Sequence, residues 1–198
     1  MTATPICLVT ALPAEARSVN NRYGLIRDNK VSHLPLYKNG NMTLVVSGVG
    51  KNAAYNATCW LAKMLGPARA SWINLGIAGH PSRAVGDAVL ASEILDGDGK
   101  DRWQAAIPFE PPCATDRLTT LSGPDTDYRR STLCDMEAAG FYAAALQYAP
   151  PDRIFCLKVI SDNLLQPAAG INAKMVSRLI ADRLTILDRL LAQLGIHE

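Results

Sequence analysis

Lys158-Val159-Ile160-Ser161-Asp162 closes an apolar run that begins at Ile154. An apolar run of this length without polar alternation is typical of a strand that is buried on both faces of a sheet. A serine and a carboxylate follow the predicted strand directly. The stretch therefore predicts a covered sheet with reactive side chains where the strand ends.

A second stretch, Cys134-Asp135-Met136-Glu137-Ala138-Ala139, sets another carboxylate beside an apolar element. It opens a predicted helix over residues 136–148. The two stretches are separated by about one helix and one strand, which is the spacing of an α/β unit.

Strands and helices alternate along the rest of the chain. Asn39-Gly40 favours a tight hairpin turn between two antiparallel strands. The other apolar patterns predict strands at 6–10, 71–75, 85–90 and 117–121 and helices from residue 12, at 51–65 and at 171–194. We predict one α/β domain over residues 1–198, with a mixed, mostly parallel central sheet flanked by helices in three α/β/α layers.

Candidate binding residues collect where the predicted strands end. Gly76-Ile77-Ala78-Gly79 is interpreted as a turn whose small residues let the backbone approach a ligand closely. Glu15, the Gly48 turn and Asp162 also follow predicted strands. Because ligands in α/β sheets bind at such ends, the sequence predicts one site there.

Composition limits the classes of function. Hydrophobic residues make up 48% of the chain and charged residues 19%, which fits a soluble globular protein. The net charge of +2 is too small for a nucleic-acid partner. No apolar run approaches the ~20 residues of a membrane span, and no signal peptide is visible, so we expect no membrane partner and a cytoplasmic location. Five cysteines without metal-ligand spacing indicate neither zinc nor disulfides.

Six motifs carry a resemblance to a known family. In chain order they are Thr10-Ala11-Leu12-Pro13-Ala14-Glu15, Ser47-Gly48-Val49-Gly50-Lys51, Asn74-Leu75-Gly76-Ile77-Ala78-Gly79, Val85-Gly86-Asp87, Asp135-Met136-Glu137-Ala138-Ala139 and Ile160-Ser161-Asp162. With these motifs the chain resembles the nucleoside phosphorylase and nucleosidase superfamily, especially its methylthioadenosine/S-adenosylhomocysteine nucleosidase branch.

The resemblance implies a phosphorylase-like fold and hydrolysis of the bond between a purine and its sugar, a step of methionine salvage, without a cofactor. Asp162 would protonate the base, with Ser161 orienting it, and Glu15 would activate water. Substrate-binding roles would fall to Glu137 and Met136 at the ribose, to the backbone of Gly76, Ile77, Ala78 and Gly79, and to Tyr128 as a ring stacked on the base. The family also implies a homodimer.

Three departures from the family pattern keep alternatives open. Ile77 replaces a serine, Lys158 replaces an arginine, and the stretch between Leu95 and Asp135 is short. One alternative is a phosphorylase, in which Arg17, Arg83 or Lys51 would position phosphate. Others are an enzyme of the hopanoid-associated subgroup, which acts on adenosylated lipid precursors, and a catalytically inactive nucleoside-binding protein.

Overall fold

The computed structural model describes residues 4–66 and 69–195. Five helices lie in these ranges: α1 (Pro13–Tyr23), α2 (Lys51–Leu65), α3 (Ala138–Ala145), α4 (Ala173–Ala181) and α5 (Leu184–Gln193). The strands are β1 (Ile6–Thr10), β2 (Ile26–Arg27), β3 (Leu36–Asn39), β4 (Met42–Val46), β5 (Ser71–Gly79), β6 (Ala88–Asp96), β7 (Arg102–Gln104), β8 (Ala114–Thr120), β9 (Leu133–Asp135) and β10 (Ile154–Asp162).

The described strands form one mixed sheet. β1 lies in the centre and pairs in parallel with both β4 and β5, and β3 and β4 form the predicted hairpin around Gly40. β5 and β10 make a long parallel pairing, from Trp72 opposite Ile154 to Gly79 opposite Asp162. The pairing aligns the motif at 76–79 with the motif at 158–162.

Part of the sheet closes on itself. β10 pairs with β6, β6 with β8, β8 with β9, and β9 returns to β5 at the pair Gly79 and Cys134. Because Gly79 pairs with Asp162 on one side and Cys134 on the other, three strands end at one point. This closure brings residues 134–139 and residues 158–162 together.

Helices cover both faces of the sheet. Along β1, Ile6 and Leu8 pack into the core beneath α1, α4 and α5, while Cys7 and Val9 pack into the core beneath α2 and α3. Successive residues of a strand point to opposite faces of the sheet. Because helices cover both faces, the strand requires an uninterrupted apolar run. The predicted α/β class and its mixed sheet between helices are confirmed.

Three predicted elements differ from the structure. Residues 76–79 are not a turn, because they continue β5 in register with β10. In place of the single helix predicted at 171–194, the structure has two helices, α4 and α5, separated by Asp182 and Arg183. The buried residues Ile180 and Leu184 nevertheless continue one apolar stripe across the break. The helix predicted from residue 136 begins at Ala138. The short strands β2, β7 and β9 were absent from the prediction.

Gly140 makes a close backbone contact between α3 and α2. A Cβ built at this position would lie 1.9 Å from the Lys51 carbonyl oxygen. Helix propensity alone would favour alanine by roughly 1 kcal/mol. The clash of an alanine Cβ with the rigid backbone would outweigh that gain. With glycine at this position, the start of α2 can lie close to the start of α3.

We expect Gly140→Ala to lower the free energy of unfolding by about 1–3 kcal/mol, since overpacking forces backbone shifts. Urea denaturation followed by circular dichroism measures this change. Gly170→Ala is the matched control, because a Cβ there meets no atom within 4 Å, and we expect a change within about 0.5 kcal/mol. A Gly140→Ala protein as stable as the parent would contradict the described contact between α2 and α3.

Candidate active site

A cavity of about 280 Å³ opens at the ends of β1, β5, β9 and β10. This volume is close to the lower limit of small-molecule sites, roughly 300 Å³. The lining residues are Ala11, Leu12, Glu15, Val49, Ile77, Ala78, Gly79, Gly123, Pro124, Asp125, Cys134, Asp135, Met136, Glu137, Ser161, Asp162, Ala168 and Ile171. The cavity thus lies where parallel strands end, as predicted for a ligand site.

Asp162 ends β10 with its carboxylate against β5. A Cβ at Gly79 would lie 2.7 Å from Asp162 Oδ2, so glycine is needed there to make room for the carboxylate. Ser161 Oγ donates to Asp162 Oδ1, and Tyr128 Oη lies 2.7 Å from Asp162 Oδ2. Both oxygens of this buried carboxyl group are therefore held by hydroxyl groups.

Glu15 lies in the first turn of α1 and is only 2% exposed. Its Oε2 accepts the N–H groups of Ala11 and Leu12 at 2.8 and 2.9 Å, and its Oε1 accepts the N–H of Ile77 at 3.0 Å. Burial raises the pKa of Glu15, against the lowering effect of these hydrogen bonds and of Lys158. A Cβ at Gly76 would lie 2.8 Å from Glu15 Oε1, so Gly76 makes room for this second carboxylate.

Glu137 directly precedes α3, and its side chain faces the cavity. Its Oε1 accepts the N–H of Gly50 at 2.8 Å, a donor supplied by the start of α2. Burial raises the pKa of Glu137 to about 7; Lys158 lowers it, and the negative charge of Asp135 raises it. Near neutral pH this carboxyl group is therefore close to its own midpoint.

A buried ion pair lies behind the cavity. Lys158 Nζ is 2.8 Å from Asp135 Oδ2, and the two side chains are 1% and 0% exposed. Burial alone would lower the pKa of Lys158, but Asp135 and Glu137 more than offset this and raise it. The lysine remains an ammonium ion, and it is the cation that compensates the carboxylates around it.

The structure places most of the predicted site residues around this one cavity. Glu15, Ile77, Ala78, Gly79, Met136, Glu137, Ser161 and Asp162 all line it. Gly76 does not line it and instead packs on Glu15. Tyr128 does not line it either, and its hydroxyl group contacts Asp162 instead. The stacking of its ring on a base stays a prediction.

Sequence reasoning missed the roles of Asp135, Asp125 and Cys134. Asp135 lies inside a quoted motif, and the lysine within an apolar strand could have signalled that a buried anion must accompany it. Asp125 accepts hydrogen bonds from Cys134 Sγ at 3.3 Å and from the N–H of Tyr128 at 3.2 Å. No pattern in the sequence predicts these two hydrogen bonds.

Neither a metal site nor a membrane-spanning helix is found in residues 4–66 and 69–195. Within these ranges, no group of three or more His, Cys, Asp or Glu side chains is placed to hold a metal ion. In the same part of the chain, no helix combines the length and apolar character that crossing a membrane requires.

The sequence matches no protein-family model and no curated protein. Solved structures are nevertheless similar over the whole chain. The apo 5'-methylthioadenosine nucleosidase of Arabidopsis thaliana has a TM-score of 0.82 at 21% identity, covering 100% of this chain and 98% of that one. This chain has the fold of the nucleoside phosphorylase and nucleosidase superfamily, in agreement with the resemblance seen in the sequence.

Two Helicobacter pylori structures extend this comparison. The 5'-methylthioadenosine/S-adenosylhomocysteine nucleosidase with butyl-thio-DADMe-Immucillin-A has a TM-score of 0.76 at 11% identity, covering 98% of this chain and 100% of that one. The futalosine hydrolase has a TM-score of 0.74 at 11% identity, covering 96% of this chain and 98% of that one. At these identities the likeness concerns the fold.

The raised pKa of Glu137 predicts a pH-dependent stability. The folded state holds this proton up to about pH 7, whereas the ordinary value is 4.5. Its stabilising contribution is therefore complete below pH 4.5 and is lost as the pH rises through about 7. The parent should therefore lose stability between pH 4.5 and pH 8, whereas Glu137→Gln, which has no carboxyl group at this position, should not show this loss. We expect the unfolding free energy of Glu137→Gln minus that of the parent to increase by about 2–3 kcal/mol over this range.

Urea unfolding curves at the two pH values measure this difference. The matched control is Glu110→Gln, the same substitution at a residue that is exposed on the surface and lies outside the cavity. An equal difference between parent and Glu137→Gln at both pH values would contradict the raised pKa.

Proposed function

We propose that this protein hydrolyses the N-glycosidic bond of a purine nucleoside. The observation that carries the proposal is the arrangement of Asp162, Glu137 and Glu15, three buried carboxyl groups around one cavity at the strand ends. Cleaving this bond needs an acid for the base, negative charge near the sugar and a base for water. The cavity offers a separate group for each task.

Asp162 is the proposed general acid. A purine leaves poorly as an anion and readily once a ring nitrogen is protonated. In its protonated form Asp162 gives its proton to that nitrogen, while the electron pair of the broken C–N bond passes to the base. Ser161 and Tyr128 then stabilise the carboxylate that is left, through the hydrogen bonds to its two oxygens.

Glu137 and Met136 are proposed to hold the sugar. As the bond breaks, the ribose gains the positive charge of an oxocarbenium ion, which a nearby carboxylate stabilises. Glu137 is fixed by the N–H of Gly50 and can accept hydrogen bonds from ribose hydroxyl groups. Met136 lines the same cavity and offers an apolar surface for the sugar ring.

Glu15 is the proposed general base. Three backbone N–H groups hold its carboxylate in one orientation, and burial raises its pKa. A higher pKa makes it a stronger base toward water. Glu15 takes one proton of the water, the water oxygen bonds to the anomeric carbon, and the products are the free base and the free sugar.

Water is favoured over phosphate because the cavity lining is acidic. No lysine, arginine or histidine is among its lining residues within the described ranges. Of the cations considered for phosphate, Lys51 pairs with Asp96 at 2.7 Å, Arg83 pairs with Asp116 at 2.6 Å, and Arg17 is exposed outside the cavity. A phosphate anion would meet several carboxyl groups there without a compensating cation.

The names of the similar structures support a proposal for the substrate class. Among the similar structures, one is named as a nucleosidase for 5'-methylthioadenosine and S-adenosylhomocysteine and another as a futalosine hydrolase. For this chain we propose an adenosine-type nucleoside, with the 5'-modified methylthioadenosine and S-adenosylhomocysteine as the first substrates to test. We further propose that the protein acts in the cytoplasm and as a homodimer.

We expect Asp162→Asn to lower kcat/KM for base release by at least about 100-fold, since the amide cannot donate the acid's proton. Chromatographic quantification of adenine released from methylthioadenosine measures the effect. The matched control is Asp152→Asn, at an exposed position outside the cavity, and it retains the parent activity. A fully active Asp162→Asn enzyme would remove Asp162 from its role.

We also expect base release in phosphate-free buffer at the same rate as with phosphate present. Adenosine, methylthioadenosine, S-adenosylhomocysteine and inosine are compared, and the sugar product is identified by mass spectrometry. Free ribose or its 5'-modified form indicates hydrolysis. A requirement for phosphate with formation of a sugar 1-phosphate would establish phosphorolysis instead.

A further inference from the structure

Tyr128 is the residue of the site that the mechanism leaves least explained. It lies in the loop between β8 and β9, is 7% exposed, and is separated from Asp162 by 34 residues of sequence. Within residues 4–66 and 69–195, it is the one non-glycine residue with a positive φ, 49°. A bulky residue seldom adopts this conformation, and such strain is commonly retained where a side chain must be aimed.

Local contacts hold Tyr128 in this conformation. Asp125 Oδ1 accepts the N–H of Tyr128 at 3.2 Å, and at the other end of the side chain the N–H of Ala168 donates to Tyr128 Oη at 3.0 Å. A phenol group has one proton to donate. Because Tyr128 Oη is the acceptor toward the N–H of Ala168, Tyr128 donates its own proton to Asp162 Oδ2 at 2.7 Å.

The pKa of Tyr128 indicates that its hydroxyl group always has a proton to donate in a hydrogen bond. Burial, and next the hydrogen bond to Asp162, raise the pKa of Tyr128 to about 12. The hydroxyl group therefore keeps its proton at every pH at which an enzyme of this kind would work.

Ser161 differs from Tyr128 because it has two acceptors. Its Oγ donates to Asp162 Oδ1, and the carbonyl oxygen of Ala78 lies 3.3 Å away. Ser161 can thus donate to Asp162 when the carboxyl group is ionised and to Ala78 when Oδ1 carries a proton. A proton on Oδ2 would instead leave the Tyr128 hydroxyl without an acceptor.

We propose that Tyr128 is a positioning residue for the general acid, whose hydroxyl group holds Asp162 Oδ2 and thereby assigns the transferable proton to Oδ1, beside Ser161. The inference rests on the proposed function. The proton leaves Oδ1 for the base nitrogen, and the bond electrons move to the base. Tyr128 keeps its own proton, and its hydrogen bond strengthens as negative charge returns to Asp162.

Other titratable groups lie in or behind the same cavity. The loop before β9 contributes Asp125, β9 contributes Cys134, and β10 itself contributes Lys158. The remaining titratable groups that line the cavity are Glu15, Asp135 and Glu137. Tyr128→Phe changes none of these groups, and it retains the ring, so its effect reports the lost hydroxyl group.

The direct test is a carboxyl ¹³C NMR titration of protein labelled at aspartate Cγ, with the Asp162 resonance assigned by its loss in Asp162→Asn. A hydrogen bond donated to a carboxylate favours the ionised form. We expect Tyr128→Phe to move the titration midpoint of this resonance upward by about one to two pH units. Tyr142→Phe is the matched control, because Tyr142 is also a buried tyrosine, lies outside the cavity and has an Oη 3.5 Å from the Gln104 carbonyl oxygen.

Kinetics give the second readout. We expect Tyr128→Phe to lower kcat by about 10-fold or more and to move the basic limb of the pH profile of kcat/KM upward with the NMR midpoint. Tyr142→Phe keeps the parent values. An unmoved NMR midpoint in Tyr128→Phe overturns the proposal, whatever the activity. A parent protein that releases no base overturns the proposed function, and the NMR titration still decides whether Tyr128 controls Asp162.

Discussion

The contact between Lys158 Nζ and Asp135 Oδ2, 2.8 Å long and sealed from solvent, is the interaction on which the site depends. Asp135 also accepts hydrogen bonds from Thr120 Oγ1 at 2.7 Å and from the N–H of Ala138 at 2.9 Å. The carboxylate therefore joins β10, β8 and the first turn of α3. Removing one partner of such a pair leaves an uncompensated buried charge, at a cost of about 3–5 kcal/mol. Glu137, two residues beyond Asp135, is positioned by this junction.

Close approach of backbone to carboxylate is the second constraint. On β5, Gly76 faces Glu15 and Gly79 faces Asp162, each at a distance that excludes a Cβ. The pairing of β5 with β10 fixes the register between these glycines and Asp162. The two glycines were expected to let the backbone approach a ligand. In the structure they make room for the side chains of Glu15 and Asp162 instead. The strand can lie this close to both carboxyl groups only while the two positions remain glycine.

Local patterns in the sequence predicted the elements whose cause is local. The apolar runs of β1 and β10, the Asn39-Gly40 hairpin and helix α2 all appear in the structure. Residues 76–79 were misread because glycine-rich segments favour turns, and only pairing with β10 keeps them extended. The same holds for the site. The carboxylates could be named from their motifs, but the partner of Tyr128 lies 34 residues away and follows from tertiary packing alone.

The balance of charge connects this packing with the proposed chemistry. Five acidic side chains line the cavity, and the ammonium group of Lys158 behind it is paired with one of them. Burial raises the pKa values of Glu15 and Glu137, and for Glu137 repulsion from the negative charges of Asp135 and Glu15 raises the pKa further. A sugar that becomes cationic as its base departs relieves this repulsion, whereas an anionic nucleophile would increase it. The acidic lining of the cavity therefore fits the proposed hydrolysis better than attack by an anionic phosphate.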